Sequence, residues 1–481
     1  MQAQRRLKLR SRTGCSRCRS RHQKCDEQRP RCGRCRGSDS TCVYRTERTP
    51  PPRCQFSQVQ FSPARNVSSG YSAFMSLIDP SHGIFLDYFV GDASSAICCH
   101  ETIQQETCKA IVSAGSVFPS LLYASLLFGA LHKASKIHPD MNRKELEIHI
   151  LELRASTLSL LQAELHGHGH GHSSSAAVIA TTLMLATCEL HFDPDARFWR
   201  SHFECASLLL ADARRRGHDK VANTGLWRLI HRLFSLMDFL VSLPAPWPSK
   251  YTPVVSESHP EELPSVETVG VIDGHLACCQ DLLGVFKWIR TLQEMRQFSQ
   301  EYETLDVELA SAHYITARAS ELVRIVRLMM ARDETTPAIL SEELAGHCDD
   351  DQIQAYRIAN SVAHHVALIY LYRYGLELDR EADTVRCSVA SIVRLAEAMP
   401  KREGLHPSIV LTTALFVAGC EAVDKARDDI RSLLQVQYEL TRNQSAHRTL
   451  QKLEALWELT SDGPRTLPTV LAIEFDDFVP Y

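Results

Sequence analysis

TGCSRCRSRHQKCDEQRPRCGRCRGSDSTCVY, residues 13–44, holds six of the 17 cysteines in the chain. They fall into two near-copies of C-x₂-C-x₆-C: Cys15, Cys18 and Cys25, then Cys32, Cys35 and Cys42. A C-x₂-C pair at the start of a helix can place two thiolates on one metal ion. A third cysteine seven positions on returns to the same face after about two helical turns. Each copy therefore offers three sulfurs where tetrahedral zinc takes four. Six ligands fill two tetrahedra only if two of them are shared between the metals. The stretch has few apolar residues, so metal binding has to supply its folding free energy.

Basic residues occupy most of the space in the first copy: Arg17, Arg19, Arg21, His22 and Lys24. The full spacing, C-x₂-C-x₆-C-x₆-C-x₂-C-x₆-C, resembles the fungal binuclear zinc cluster, the DNA-binding domain of transcription factors of the galactose-regulator type. The resemblance implies two zinc ions bridged by Cys15 and Cys32. Cys18 and Cys25 would complete one, and Cys35 and Cys42 the other. Pro30 stands where the family has a proline between its two short helices.

The same resemblance implies that the helix from Cys18 to Lys24 enters the major groove of double-stranded DNA, where all four base pairs are distinguishable. In the family, two adjacent basic residues at the third and fourth places after the second cysteine read a CGG triplet. Here these are Arg21 and His22. Most relatives carry Lys or Arg at the second place. His22 is shorter, so its guanine contact is expected to be weaker or to run through N7 alone. Arg19 and Lys24 would contact phosphates and set the register.

A three-disulfide framework is the alternative for six cysteines in a small basic domain. No apolar secretory segment opens the chain, and the eleven other cysteines lie scattered through apolar segments, as in a reducing compartment.

Charge is divided along the chain. Residues 1–53 carry 16 Lys/Arg against 4 Asp/Glu, while the formal charge of all 481 residues is −4. A basic end on an acidic body points to a polyanionic partner for that end alone. Arg5, Arg6, Lys8, Arg10 and Arg12 make residues 1–14 a basic arm fit for nuclear import or phosphate contact. Residues 15–45 form the cluster. After Tyr44 the composition turns to Ser, Gln and Pro, with Pro50, Pro51 and Pro52 in a row, and residues 46–80 read as linker. Many relatives form a homodimer through a coiled coil here, but residues 46–80 show no a/d heptads.

From 81 to 460 the apolar spacing is helical almost throughout. Helical segments, some broken by turns, are expected at 120–136, 143–165, 176–191, 196–216, 224–242, 275–298, 303–331, 352–376, 382–398, 408–421 and 425–459. Prolines 244, 246, 248, 253, 260 and 264 mark a long connection. FLDYF (85–89), PSLLYASLLFGALHKAS (119–135), LTTALFVAGCEA (411–422) and AHRTLQKLEALWEL around Trp457 are similar to the regulatory domain that accompanies zinc clusters in fungi. The fold class expected is all-α: a small binuclear cluster, a linker, and a large multi-helical body. No apolar run reaches the roughly 18 residues of a membrane span.

Other candidate sites fall to simpler readings. HGHGHGH (166–172) offers four imidazoles on a backbone too pliant to orient them, so a loop is expected. His364 and His365 point about 100° apart on a helix and are poor co-ligands. Asp349–Asp351 lacks the further acidic residue of a magnesium-binding terpene-synthase motif and reads as a solvated loop. No P-loop, dinucleotide fingerprint, H-E-x-x-H or G-x-S-x-G occurs, so no enzyme is expected. The tail 461–481 mixes Glu474, Asp476 and Asp477 with Phe475, Phe478 and Tyr481, which suits docking on transcriptional coactivators.

The expected function is a nuclear, sequence-specific DNA-binding activator of a metabolic or secondary-metabolite pathway. The alternatives are a repressor, a zinc-stabilised protein-interaction module and a metal-dependent helical enzyme.

Overall fold

The computed structural model describes residues 18, 25–26, 28, 31–36, 80–136, 144–167, 176–192, 198–217, 225–242, 262–301, 305–402, 404–441 and 444–461. The chain divides into two compact units, 1–69 and 70–481. In the first, a short helix α1 (Gly33–Arg36) follows Cys32.

The second unit is helical. Its elements are α2 (Pro80–Gly91), α3 (Glu101–Gly115), α4 (Pro119–Lys136), α5 (Lys144–Gly167), α6 (Ala176–Phe192), α7 (Trp199–Arg215), α8 (Gly225–Ser242), α9 (Gln280–Glu301) and α10 (Leu305–Thr335). These are followed by α11 (Asp350–Tyr370), α12 (Asp383–Glu397), α13 (Leu411–Glu421), α14 (Lys425–Thr441) and α15 (Gln444–Ser461). Strand among the described residues is confined to β1 (Val271–Ile272) and β2 (Ile339–Leu340), which pair in parallel. No described helix is long and apolar enough to cross a membrane.

Two helices sit at the centres of the packing. Every residue of α6 from Ala177 to His191 is buried, and so is all of α13. A helix that is apolar on all sides has to be enclosed by others. Around α6 lie α4, α7 and α8; around α13 lie α11, α12, α14 and α15. The outer helices carry stripes instead. In α12 the buried residues Val385, Ser388, Val389, Ile392, Val393 and Ala396 repeat at three and four. The threonine hydroxyls within α6 are satisfied locally: Thr181, Thr182 and Thr187 each donate to the carbonyl four residues back, at 2.8 Å.

α2 crosses α4 closely. A Cβ at Gly129 would stand 2.5 Å from the Phe85 carbonyl oxygen, so only glycine allows the approach. Phe89 and Phe128 meet edge to face at 6.0 Å beside it. Glu164 near the end of α5 accepts from the Ser120 backbone amide (3.2 Å) and hydroxyl (2.6 Å), capping the start of α4.

The structure refines the reading from periodicity in three places. Residues 275–279 are not helical: the Asp273 carboxylate accepts from the amides of His275 (2.8 Å) and Leu276 (2.9 Å), and this turn delays α9 to Gln280. The segment 425–459 is two helices, α14 and α15. The acidic run at 349–351 is a helix start rather than a loop. Asp349 accepts from Gln352 N (2.8 Å) while the Gln352 side chain accepts from Asp349 N (3.0 Å), a capping box, and Asp350 and Asp351 lie in the first turn.

Buried charges are paired across helices. Glu421, at the end of α13, keeps 1% side-chain exposure and accepts from Arg373 Nε at 2.8 Å. Burial pushes its carboxyl above the usual range, with Arg373 and Arg380 pulling it back. Arg373→Met strands that carboxylate and is expected to cost about 3–5 kcal/mol in urea unfolding at pH 7. The loss should shrink as pH falls towards the ordinary carboxylate range, because protonation of Glu421 removes the stranded charge. A loss independent of pH would assign the effect to the packing of the arginine stem instead.

Candidate metal centre

Of the six cysteines expected to bind metal, Cys18, Cys25, Cys32 and Cys35 are described, and all four are buried. Cys15 and Cys42 lie outside the described residues, as do Pro30 and the expected DNA contacts Arg19, Arg21, His22 and Lys24. Among the described residues the four cysteines form a cluster of their own with no other apolar side chain in it.

The spacing of the sulfurs suits tetrahedral coordination. Cys18 Sγ and Cys32 Sγ are 3.8 Å apart. Two sulfurs on one zinc at ~2.3 Å stand about 3.8 Å from each other, whereas a disulfide would draw them to about 2.05 Å. The donors of Cys18, Cys32 and Cys35 lie within 4.8 Å of one another, and so do those of Cys25, Asp26 and Cys32. Cys32 is thus the sulfur common to both groups.

The local fold explains this placement. The Cys32 carbonyl accepts from the amides of Cys35 (2.9 Å) and Arg36 (3.1 Å), so the C-x₂-C turn brings Cys35 back over Cys32. Burial pushes the Cys32 thiol up, but the Cys35 thiol and amide and the Cys25 and Cys18 thiols outweigh it and hold Cys32 below the usual thiol range. A lowered thiol pKa favours the thiolate that a metal requires.

Two residues that the cysteine spacing did not single out join the halves of the site. Both carboxylate oxygens of Asp26 accept from Gly33 N, at 3.1 and 2.9 Å. Asp26 thereby ties the residue after the third cysteine to the first residue of α1. A Cβ at Gly33 would lie 2.6 Å from Asp26 Oδ2, so the clasp needs glycine. An acidic residue and a glycine, each directly after a cysteine, were the available signal.

Among the described residues outside this cluster, no comparable thiol site occurs. None of the fourteen described cysteines is in a disulfide, which removes that alternative among them. Burial pushes the thiols of Cys98 and Cys279 up to about 12 and that of Cys348 to about 11, which keeps them protonated and inert. Of HGHGHGH, His166 lies at the exposed end of α5, its Nδ1 2.7 Å from the Gln162 carbonyl, and 168–172 lie outside the described residues.

Gly33→Ala forces the Asp26 carboxylate away from α1 and is expected to weaken zinc retention by about 10–100-fold, as loss of other outer-sphere support does. Competition with a chromophoric chelator reads the change. Wild-type retention in Gly33→Ala would show that the clasp does not orient the ligands.

Residues 13–51 match the fungal Zn(2)-Cys(6) binuclear cluster domain, which binds two zinc ions, and the thiol set here fits that chemistry. Residues 84–476 match the fungal specific transcription factor domain. No curated protein and no solved structure matches the chain. A sulfur cluster built for two zinc ions, followed by a helical body that the second family covers, places this chain among the fungal DNA-binding transcription factors: it belongs to the fungal specific transcription factor domain family.

Proposed function

We propose that the chain activates genes of a metabolic or secondary-metabolite pathway, transcribed by RNA polymerase II, by reading CGG-like triplets in the major groove. The observation that carries this reading is the sharing of Cys32 between two groups of donors. With Cys15 as the second shared sulfur, Cys18 and Cys25 complete one zinc and Cys35 and Cys42 the other. The cluster then stiffens the basic stretch between Cys18 and Cys25. Arg21 and His22 meet base edges there, and guanine presents O6 and N7 as acceptors to them. Arg19 and Lys24 bind phosphates and fix register.

The basic arm, residues 1–14, directs nuclear import and adds phosphate contacts. The acidic, aromatic tail, residues 461–481, engages coactivators. Paired half-sites would be bound by a homodimer, assembled without heptads in the linker. The body acts as a regulatory scaffold and is assigned no catalysis.

In fluorescence anisotropy with a CGG-containing duplex, Cys15→Ala or Cys32→Ala is expected to abolish binding, and added zinc should not restore it. Binding retained by either variant would overturn the bridging assignment. Arg21→Ala should cost about 1–3 kcal/mol of discrimination at one base pair, with little loss on random duplex. Equal loss on both duplexes would make Arg21 a phosphate contact. Phosphate contacts are counted separately by the fall of log K with log salt, about 0.9 per phosphate neutralised.

A further inference from the structure

The first helix of the body begins beside a group of ligand-type side chains that the transcription-factor reading does not use. His82 lies in the first turn of α2. His149 and Glu152 lie one turn apart on α5, on the same face. Both helices pack against α4.

His82 is nine-tenths buried, with 7% exposure, yet neither of its ring nitrogens has a hydrogen-bond partner. The buried Nδ1 of His149 has none either. Buried polar groups are nearly always satisfied, and three orphaned imidazole nitrogens in one place call for an explanation. Among the described residues, the charged group that both rings face is the Glu152 carboxylate. His82 Nε2 is 3.7 Å and His149 Nδ1 is 3.6 Å from Glu152 Oε2.

Those separations are too long for hydrogen bonds, which run to about 3.2 Å for a nitrogen donor and an oxygen acceptor. They suit ligands that share a metal ion. At metal–ligand distances of about 2.0–2.2 Å, the edges of a coordination tetrahedron measure about 3.3–3.6 Å. The three donor atoms all lie within 4.8 Å of one another. The rings stand edge to face at 5.3 Å. Phe85 packs against both imidazoles and screens them from water on that side. The Glu152 side chain is 56% exposed, which leaves an entry path and room for water at a fourth position.

The geometry points to a third metal site in this chain, a two-histidine, one-carboxylate centre formed by His82, His149 and Glu152 that takes a divalent ion of the zinc class. Imidazole with carboxylate is a donor set for zinc and its first-row neighbours rather than for magnesium or calcium, which take oxygen alone. It is unlike the all-thiolate cluster at the front of the chain. Its structural effect is to pin the start of α2 to the middle of α5. The two segments are far apart in sequence and share α4 as their common neighbour.

Metal stoichiometry of the full chain tests this, by native mass spectrometry and elemental analysis after dialysis against buffered zinc. The wild type is expected to hold three zinc ions. His149→Ala and Glu152→Gln should each hold two, and Glu152→Gln should release the third ion to a competing chelator at least tenfold more readily. Glu152 and His149 reach solvent, so these variants should fold, which far-ultraviolet circular dichroism checks. The histidine run at 166–172 is the rival source of a third ion. A variant with His166, His168, His170 and His172 all changed to alanine should still hold three. Two ions in the wild type, three in both site variants, or loss of the third ion in the histidine-run variant would each overturn the proposal.

Discussion

A thiolate cannot stay buried unless something balances its charge. Among the described residues of the first unit, the buried core is Cys18, Cys25, Cys32 and Cys35. Four thiols bury too little apolar area to order a chain, so the folded state and the metal-bound state are one state. Chain direction then follows from coordination. The Asp26–Gly33 clasp and the Cys32 turn hold the second C-x₂-C against the residue that follows Cys25.

The helical body obeys the opposite rule. Among the described residues its core is one continuous apolar cluster running from Phe85 to Trp457, and buried acids such as Glu189 and Glu421 each meet an arginine. Arg154 joins Glu189 on α6 at 2.8 Å. Arg232 on α8 reaches both Glu106 on α3 (2.6 Å) and Glu343 (2.8 Å). Arg332 on α10 binds Asp281 and Asp333, and Asn360 extends this network from Asp333 (2.7 Å) to the Cys279 amide (2.8 Å). Such pairs add little net stability over apolar replacements, but breaking one leaves a stranded charge. They therefore discriminate against misplaced helices among many with similar apolar faces.

Histidines show the same division between packing and chemistry. Burial lowers His132, His364, His365 and His406 to about 4 and His191 to about 3, so these rings are neutral parts of the core. Two of them also accept hydrogen bonds: His406 Nδ1 accepts from Ser408 N at 3.2 Å and caps a turn, while the His191 carbonyl accepts from Arg448. His82 and His149 differ because their unpartnered nitrogens face a carboxylate.

The sequence by itself determined the chemistry of the first unit, because six cysteines at fixed spacing constrain coordination without reference to anything distant. It also determined the helical class of the body, since stripes such as Val385 to Ala396 repeat with the helix period. Helices α2 and α3 were not singled out, because the buried face of α3 includes Thr107 and Cys108 and its apolar pattern is weak. The delayed start of α9 was hidden because Leu276 and Cys279 continue the apolar period while the Asp273 turn, not the period, decides the backbone. Which acidic residue caps which helix, that Asp349 opens α11, that Gly129 is a crossing point and that His82 meets Glu152 seventy residues on were decided only by tertiary structure. The physical reason is range: periodicity and ligand spacing are properties of neighbours along the chain, whereas a close approach exists only after separate helices have packed.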